Sequence, residues 1–268
     1  MLYRFTGGSD GGYPGYGDLV FDQAGNLYGT TQGGSPGNNG TVYKLTASGG
    51  GWTESVLYGF TGGADGKSPL AGVIFDQAGN LYGAAWEDGT YGWGTLYELS
   101  PSGSGWVETT LYTFTGGNDG GNPVGGLIMD KLGNLYGTTN LNQYGAVSTA
   151  FSLAPNSPGI WTYSVLASFI GVGESYATGP YASLVMDAAG NLYGTTYADG
   201  IFGYGYGSVF ELTPQPGGTW AEIDLYDFTG ADGAKPVGSV ILDAKGNVYG
   251  TASSGGANGY GVVFEITP

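Results

Sequence analysis

The sequence contains no cysteine and no histidine among its 268 residues. The absence of histidine excludes Ser-His-Asp and Cys-His relays as well as imidazole metal sites. The absence of cysteine excludes disulfides, thiolate nucleophiles and the usual structural zinc sites, and it leaves the redox compartment undetermined. Enzymatic chemistry in this chain would therefore depend on carboxylates.

Basic residues are also scarce, since six Lys and Arg stand against 22 Asp and Glu, for a formal net charge of −16. Nucleic acids and anionic membranes bind through basic patches, so neither is an expected partner. No apolar run reaches the length of a transmembrane helix, and no signal peptide is recognisable, so no direct membrane insertion is expected. Because the chain begins within a strand pattern, we expect it to be a domain of a longer protein.

Glycine and aromatic residues are abundant, with 57 Gly and 15% aromatics, which favours short strands joined by tight turns. One string, Asp-x-x-Gly-Asn-(Leu/Val)-Tyr-Gly, occurs five times. Its asparagines are Asn26, Asn80, Asn134, Asn191 and Asn247, at intervals of 54, 54, 57 and 56 residues. These intervals indicate a tandem array of five similar units.

Each unit has the pattern of four strands. A short apolar strand comes first, as at residues 19–21, and its continuous hydrophobicity predicts burial on both faces. The repeated string then forms a turn and begins the second strand. A third strand follows, as at residues 41–45, and a fourth runs from Trp52 or its counterparts to a Leu-Tyr-x-Phe-Thr motif.

This organisation predicts an all-β fold, a five-bladed β-propeller with four antiparallel strands per blade, in a single domain over residues 1–268. The predicted blades cover approximately residues 18–61, 72–115, 126–170, 183–229 and 238–268 plus 2–6. Residues 2–6 have the sequence of a fourth-strand end, and the last unit stops after its third strand. We therefore expect the N-terminal strand to complete the last blade and close the ring.

The Gly-Asn-Leu-Tyr-Gly-Thr-Thr, Gly-Thr-Val-Tyr-Lys-Leu and Leu-Tyr-x-Phe-Thr-Gly-Gly-x-Asp-Gly elements resemble the GloVer tandem repeats of bacterial proteins. The resemblance covers essentially the whole chain and implies a secreted or cell-surface protein. It supplies no catalytic residues. The third unit departs from the pattern between Tyr144 and Phe151, and the fourth unit replaces the Gly-Gly-x-Asp-Gly loop with residues 171–175.

A ligand site is expected on the face formed by the loops from strand four to strand one and from strand two to strand three, because these loops are long and varied. Aromatic rings beside carboxylates suit sugar rings. The candidate ligand-binding residues are Trp86, Glu87, Asp88, Tyr91 and Trp93 in the second unit, Tyr197, Tyr204 and Tyr206 with Phe202 in the fourth, and Asp18. The alternative is that these aromatics only pack the loops together.

A repeated Asp-Gly pair in the same loops has two interpretations. Recurrence favours turn-forming aspartates, whereas calcium binding is the weaker alternative. The aspartates concerned are Asp10, Asp65, Asp119 and Asp232. No other cofactor is expected.

We therefore expect a non-enzymatic, lectin-like propeller that binds a glycan or another surface ligand, most simply as a monomer. Two alternatives stay open, a purely structural or adhesive repeat module and a carboxylate-dependent glycoside hydrolase. The hydrolase needs a pair of carboxylates about 5–10 Å apart. Its candidate acids are Asp18, Glu87, Asp88, Glu174 and Asp199.

Overall fold

The protein is described by a computed structural model that covers residues 1–15, 17–140, 147–157, 159–170, 179–198 and 205–267. Within these residues the chain forms strands and turns and no helix, and so it has no helix that could cross a membrane. It divides into two compact units, Met1–Thr115 with Pro155–Trp161, and Gly116–Ala154 with Thr162–Pro268. The single domain therefore stays a prediction.

The first unit contains two antiparallel sheets, each with four strands in chain order. The first sheet consists of β1 (Val20–Phe21), β2 (Leu27–Thr31), β3 (Thr41–Ser48) and β4 (Gly51–Gly59). The second consists of β5 (Ile74–Phe75), β6 (Leu81–Ala85), β7 (Thr95–Ser102) and β8 (Gly105–Thr113).

The second unit contains most of the third sheet and the whole of the fourth and fifth. The third sheet consists of β9 (Ile128–Met129), β10 (Leu135–Thr138), β11 (Val147–Ser157) and β12 (Ile160–Ile170). The fourth consists of β13 (Val185–Met186), β14 (Leu192–Thr196), β15 (Ser208–Pro214) and β16 (Trp220–Asp227), and the fifth of β17 (Ile241–Leu242), β18 (Val248–Ala252) and β19 (Val262–Ile266).

These sheets confirm the predicted all-β, antiparallel architecture, with one sheet per repeat. The fifth sheet has three strands, and residues 2–6 belong to no strand. Completion of the last sheet by the N-terminal strand, and closure of a five-bladed ring, therefore stay predictions.

The first strand of each repeat is less buried than the sequence predicted. Each is two residues long and lies at the edge of its sheet. Phe21 is 62% exposed and Ile241 is 68% exposed. The prediction of burial on both faces was wrong because an edge strand this short packs only part of its apolar run against the core.

A carboxylate organises the turn between strands one and two. In the first repeat, Oδ1 of Asp22 accepts the backbone N–H groups of Ala24 and Asn26, both at 2.9 Å. Its Oδ2 accepts the Asn26 amide at 2.6 Å and the Tyr28 hydroxyl at 3.0 Å. The same network recurs at Asp76, Asp130, Asp187 and Asp243. These hydrogen bonds explain why Asp-x-x-Gly-Asn recurs in every repeat: its aspartate holds the turn between the first two strands.

The core of each compact unit is built by aromatic and aliphatic side chains from the second, third and fourth strands. In the compact unit that contains Gly116–Ala154 and Thr162–Pro268, Phe169, Phe210 and Leu192 are almost fully buried in one cluster. The strand-two glycine lies directly beneath a ring, since a Cβ at Gly194 would come 2.5 Å from Cζ of Phe210. Glycine is required here because the ring occupies the space of any side chain.

A β-bulge interrupts the pairing of strands three and four at the same place in three repeats. In the first, Val42 pairs with Tyr58 and Tyr43 with Val56, so that Leu57 has no partner in the register. Equivalent shifts lie between Leu96 and Tyr97 and between Val209 and Phe210. The bulge redirects the Leu-Tyr motif at the end of the fourth strand, and the sequence did not predict it.

The N-terminal segment has the contacts of a fourth-strand end. The Tyr3 hydroxyl donates to Oδ2 of Asp10 at 3.0 Å, and the Phe5 ring packs edge-on to Tyr43 at 4.9 Å. At the end of β4, in the same way, the Tyr58 hydroxyl and the Phe60 ring contact an aspartate and a tyrosine of the next repeat: Asp65 at 2.9 Å and Tyr97 at 5.1 Å.

Candidate ligand-binding loops

Two kinds of loop meet at one end of each sheet. The second and fourth strands run in the same direction, as β2 and β4 do, so the loops that follow them leave the sheet at the same edge. Backbone hydrogen bonds join the two loops. The donor N–H and acceptor C=O pairs are Gln32 to Tyr13, Trp86 to Ser68, Asn140 to Asn122, Tyr197 to Gly179 and Ser253 to Lys235. The loops in each unit are therefore held by repeated contacts.

The loop that enters the first strand carries a strained residue in four repeats. Tyr13, Ser68, Asn122 and Lys235 have φ values of 59°, 55°, 52° and 56°, and each precedes a proline. A positive φ in a non-glycine residue costs about 1–3 kcal/mol, and proline further restricts the residue before it. The strained position thus displays a different side chain in each repeat on one fixed backbone.

The aspartates considered for calcium form the turn before this strained residue. Oδ2 of Asp65 accepts the Tyr58 hydroxyl at 2.9 Å and the Thr61 N–H at 2.8 Å. Its Oδ1 accepts the Thr61 hydroxyl at 2.6 Å and the Gly63 N–H at 3.2 Å. Burial raises the pKa of Asp65, but these hydrogen bonds outweigh it and lower the pKa below its ordinary value.

Other members of the set have part of the same pattern. Asp10 and Asp232 each accept a tyrosine hydroxyl and a threonine N–H, and Asp119 accepts the Gly117 N–H. In the part of the chain that the structure describes, no three acidic side chains cluster to form a metal site. The turn interpretation accounts for these aspartates, and calcium binding stays a prediction.

In the second repeat, an ion group links two loops. Lys67 and Glu87 exchange backbone hydrogen bonds of 2.8 and 3.2 Å. Nζ of Lys67 lies 3.3 Å from Oε2 of Glu87 and 3.3 Å from Oδ2 of Asp88. Burial lowers the pKa of Lys67, but the two carboxylates outweigh it and raise the pKa. Sequence analysis did not connect Lys67 with this pair because the contact depends on the relative register of two separate loops.

Three predicted aromatic residues lie in the same loop as the carboxylates. Trp86 and Trp93 are half-buried, and Tyr91 is 60% exposed. Asp88 and Trp93 form an isolated β-bridge, and the carbonyl of Asp88 accepts the N–H of Gly94 at 2.8 Å. The loop thus closes on itself and presents aromatic surface beside the ion group.

In the fourth repeat, the structure describes part of the predicted aromatic group. Tyr197 is half-buried and packs edge-on against Tyr181 at 5.2 Å, and Nζ of Lys235 lies 5.4 Å from the centre of the Tyr197 ring. Tyr206 is 37% exposed. Sequence analysis did not single out Tyr181 or Lys235. The predicted residues Phe202, Tyr204, Glu174 and Asp199 lie outside the described residues.

The carboxylates considered for hydrolysis have different surroundings. Asp18 is exposed, and its backbone lies against Gly72, where a Cβ would come 2.1 Å from the Asp18 carbonyl oxygen. Glu87 is ion-paired with Lys67. The structure therefore gives Glu87 a cationic partner, and a catalytic pair with Asp18 stays a prediction.

The repeat pattern agrees with a known family. The model described as the Gloeobacter/Verrucomicrobia repeat matches residues 1–205 and 142–268. The chain belongs to this family. The resemblance to the GloVer tandem repeats is thereby confirmed. None of the curated proteins compared with the chain matches it significantly.

Solved structures with low sequence identity share the fold. A protein of unknown function from Dyadobacter fermentans is 13% identical, with a TM-score of 0.53 over 96% of this chain and 85% of its own. A Bacteroides uniformis protein with a provisional assignment as a 6-phosphogluconolactonase is 15% identical, with a TM-score of 0.52 over 95% and 72%. At these identities the likeness concerns the fold alone.

Proposed function

We propose that this chain is a non-enzymatic binding module of the bacterial cell surface or exterior, which holds a glycan or another surface ligand on its long loops. One observation carries the proposal: Trp86, Tyr91 and Trp93 lie in the same loop as Glu87 and Asp88, the two carboxylates that hold Lys67. Sugar C–H faces stack on aromatic rings while hydroxyls bond to charged and amide groups.

The loops also meet the energetic requirement for ligand binding. Their backbones are joined by hydrogen bonds, such as that from the Trp86 N–H to the Ser68 carbonyl at 3.2 Å. A site held in this way loses little conformational entropy on binding. The side chains of Lys67, Glu87 and Asp88 are each about a third exposed, at 32%, 36% and 33%, so a ligand has access to them.

The proposed scaffold is a five-bladed propeller of four-stranded antiparallel blades, closed by the N-terminal strand. The five repeats and the fourth-strand-like contacts of residues 2–6 support it. Such a ring would collect the long loops of all blades on one face. The resemblance to exported and surface-anchored proteins supports the location, and the net charge of −16 favours solubility and a monomeric state.

A glycan array followed by calorimetric titration tests the proposal. The wild-type chain is expected to bind a defined glycan, and Tyr91→Ala and Trp93→Ala are expected to weaken binding by about tenfold or more, because each removes stacking surface worth about 1–2 kcal/mol. Tyr91 is exposed, so its truncation preserves the fold. Leu132→Ala is the matched control, since Leu132 is 81% exposed in a strand-one-to-two turn.

Each alternative has its own outcome in this experiment. Absence of binding to any glycan would contradict glycan binding and favour a structural or adhesive module. Cleavage of a bound oligosaccharide, lost in Glu87→Gln and Asp18→Asn, would instead identify a carboxylate-dependent glycoside hydrolase.

A further inference from the structure

We infer that Tyr181, Tyr197 and Lys235 form a site for a saccharide that carries a single negative charge, such as a uronic acid. All three residues belong to the compact unit that contains Thr162–Pro268. This inference rests on the proposed glycan-binding function and names the chemical class of the ligand. The residues concerned differ from those of the loop around Trp86. Their importance follows from the surroundings of the two lysines in the long loops, Lys67 and Lys235.

The two lysines in corresponding loops of the two units have different electrostatic partners. Lys67 is engaged by two carboxylates, those of Glu87 and Asp88, at 3.3 Å. Lys235 forms no salt bridge with any described residue, and its ammonium group lies instead 5.4 Å from the centre of the Tyr197 ring. Lys235 is therefore a cation on the long loops that has an aromatic ring beside it and no counter-charge among the described residues.

The backbone fixes the position of Lys235. Its N–H donates to the Tyr206 carbonyl at 2.7 Å, and its carbonyl accepts the N–H and the hydroxyl of Ser253 at 3.2 and 2.7 Å. These three bonds hold the residue at a φ of 56° before Pro236. Strain of this kind persists only where surrounding contacts fix it, so the lysine is presented with little freedom of its main chain.

Two tyrosines provide the remaining part of a sugar site. Tyr181 and Tyr197 pack edge-on at 5.2 Å, and the N–H of Tyr197 is bonded to the Gly179 carbonyl at 3.2 Å. Both rings are half-buried, which leaves an edge or face of each for contact. The Tyr181 hydroxyl, like that of any tyrosine at neutral pH, is protonated and can donate a hydrogen bond, and burial raises its pKa further.

The ligand charge follows from the balance between local and global electrostatics. The net charge of −16 repels polyanions, but exposed charges beyond about 8 Å are largely screened at physiological salt. One ammonium group at contact distance therefore decides the preference for one carboxylate. It does not provide the basic patch that a long polyanion requires. A short saccharide with a single uronate at this position is the ligand that satisfies both conditions.

Calorimetry with paired saccharides tests the inference. The probes are a tetrasaccharide with one uronate residue, its carboxyl-reduced neutral counterpart and a monosulphated analogue, which separates carboxylate from sulphate recognition. The uronate probe is expected to bind about ten- to hundredfold more tightly than the neutral probe, the range of one hydrogen bond to a charged group. Lys235→Met is expected to abolish this difference, and Lys235→Arg to retain most of it.

The control is Lys245→Met, because Lys245 lies in the turn between β17 and β18 and its loss leaves the loops intact. Equal binding of the uronate and neutral probes, or equal effects of Lys235→Met and Lys245→Met, would overturn the inference while the proposed function stands. Binding of none of the three saccharides would overturn the inference alone, because the glycan array tests the proposed function separately. Preserved melting temperatures confirm that each variant is folded.

Discussion

Tyrosine hydroxyls illustrate how identical side chains have opposite energetic roles in this repeat. The Tyr28 hydroxyl donates to Oδ2 of Asp22 at 3.0 Å, and burial followed by this carboxylate raises its pKa. Tyr97 is fully buried, and its hydroxyl has no hydrogen-bond partner among the described residues. The equivalent residues of the later repeats are Phe151, Phe210 and Phe264. The hydroxyl of Tyr97 therefore costs desolvation energy without a compensating bond.

We predict that the same substitution has opposite effects at these two sites. Tyr28→Phe should lower the free energy of unfolding by about 1–2 kcal/mol, because it removes a hydrogen bond to a carboxylate. Tyr97→Phe should leave it unchanged or raise it by up to about 1 kcal/mol, because it removes an unpaired buried hydroxyl. Urea denaturation at pH 7 with unchanged m-values measures both. Equal losses at the two sites would show that the Tyr97 hydroxyl is satisfied.

At the scale of the strand, the fourth strands of the first two repeats carry an acid on their inward face. Glu54 pairs with the buried Leu45, and Glu108 pairs with the buried Leu99, and paired residues project from the same face of a sheet. Oε1 of Glu54 is buried without a hydrogen-bond partner among the described residues. Burial, and then the charge of Asp10, raises the pKa of Glu54 above its ordinary value.

This placement predicts a pH-dependent loss of stability. Because the folded-state pKa of Glu54 lies above the unfolded value near 4.5, its contribution is fully present below that value and is lost as the pH rises through the folded pKa. Glu54→Gln should therefore be more stable than wild type at pH 7 and equal to it near pH 3.5. Denaturation curves between these limits measure the difference. A difference that does not vary with pH would contradict the assignment.

The strands also show what a sequence can reveal of this fold. The repeat, the Asp-x-x-Gly-Asn turn and the strand order were predicted because each depends on neighbouring residues. The sequence did not predict the bulge at Leu57, because the bulge depends on the register between two strands. The same holds for the contact of Lys67 with Glu87 and Asp88, since it joins two loops. The strained residue with a positive φ could have been predicted, because a proline recurs three residues after Asp-Gly and the strained residue directly precedes that proline.

At the scale of the whole chain, residues 2–6 decide between a closed ring and an open array. Relative to the first repeat, they have the contacts that residues 57–61 have relative to the second. In the proposed ring they are the end of a fourth strand whose sheet consists of β17, β18 and β19. In an open array they would be a separate segment, with no relation to the last repeat.

Moving the N-terminal segment to the C-terminus distinguishes these two cases. Deletion of residues 1–6 should lower the free energy of unfolding by about 2 kcal/mol, because Tyr3 and Phe5 lose partly buried aromatic surface. Attaching residues 2–6 behind Pro268, through a copy of residues 215–224 as the missing hairpin and half-strand, should restore most of this loss if the ring is closed. A scrambled version of the attached segment should not restore it. If the segment with the natural sequence is equally ineffective, the fifth sheet lies too far from the first repeat, and the closed propeller is wrong.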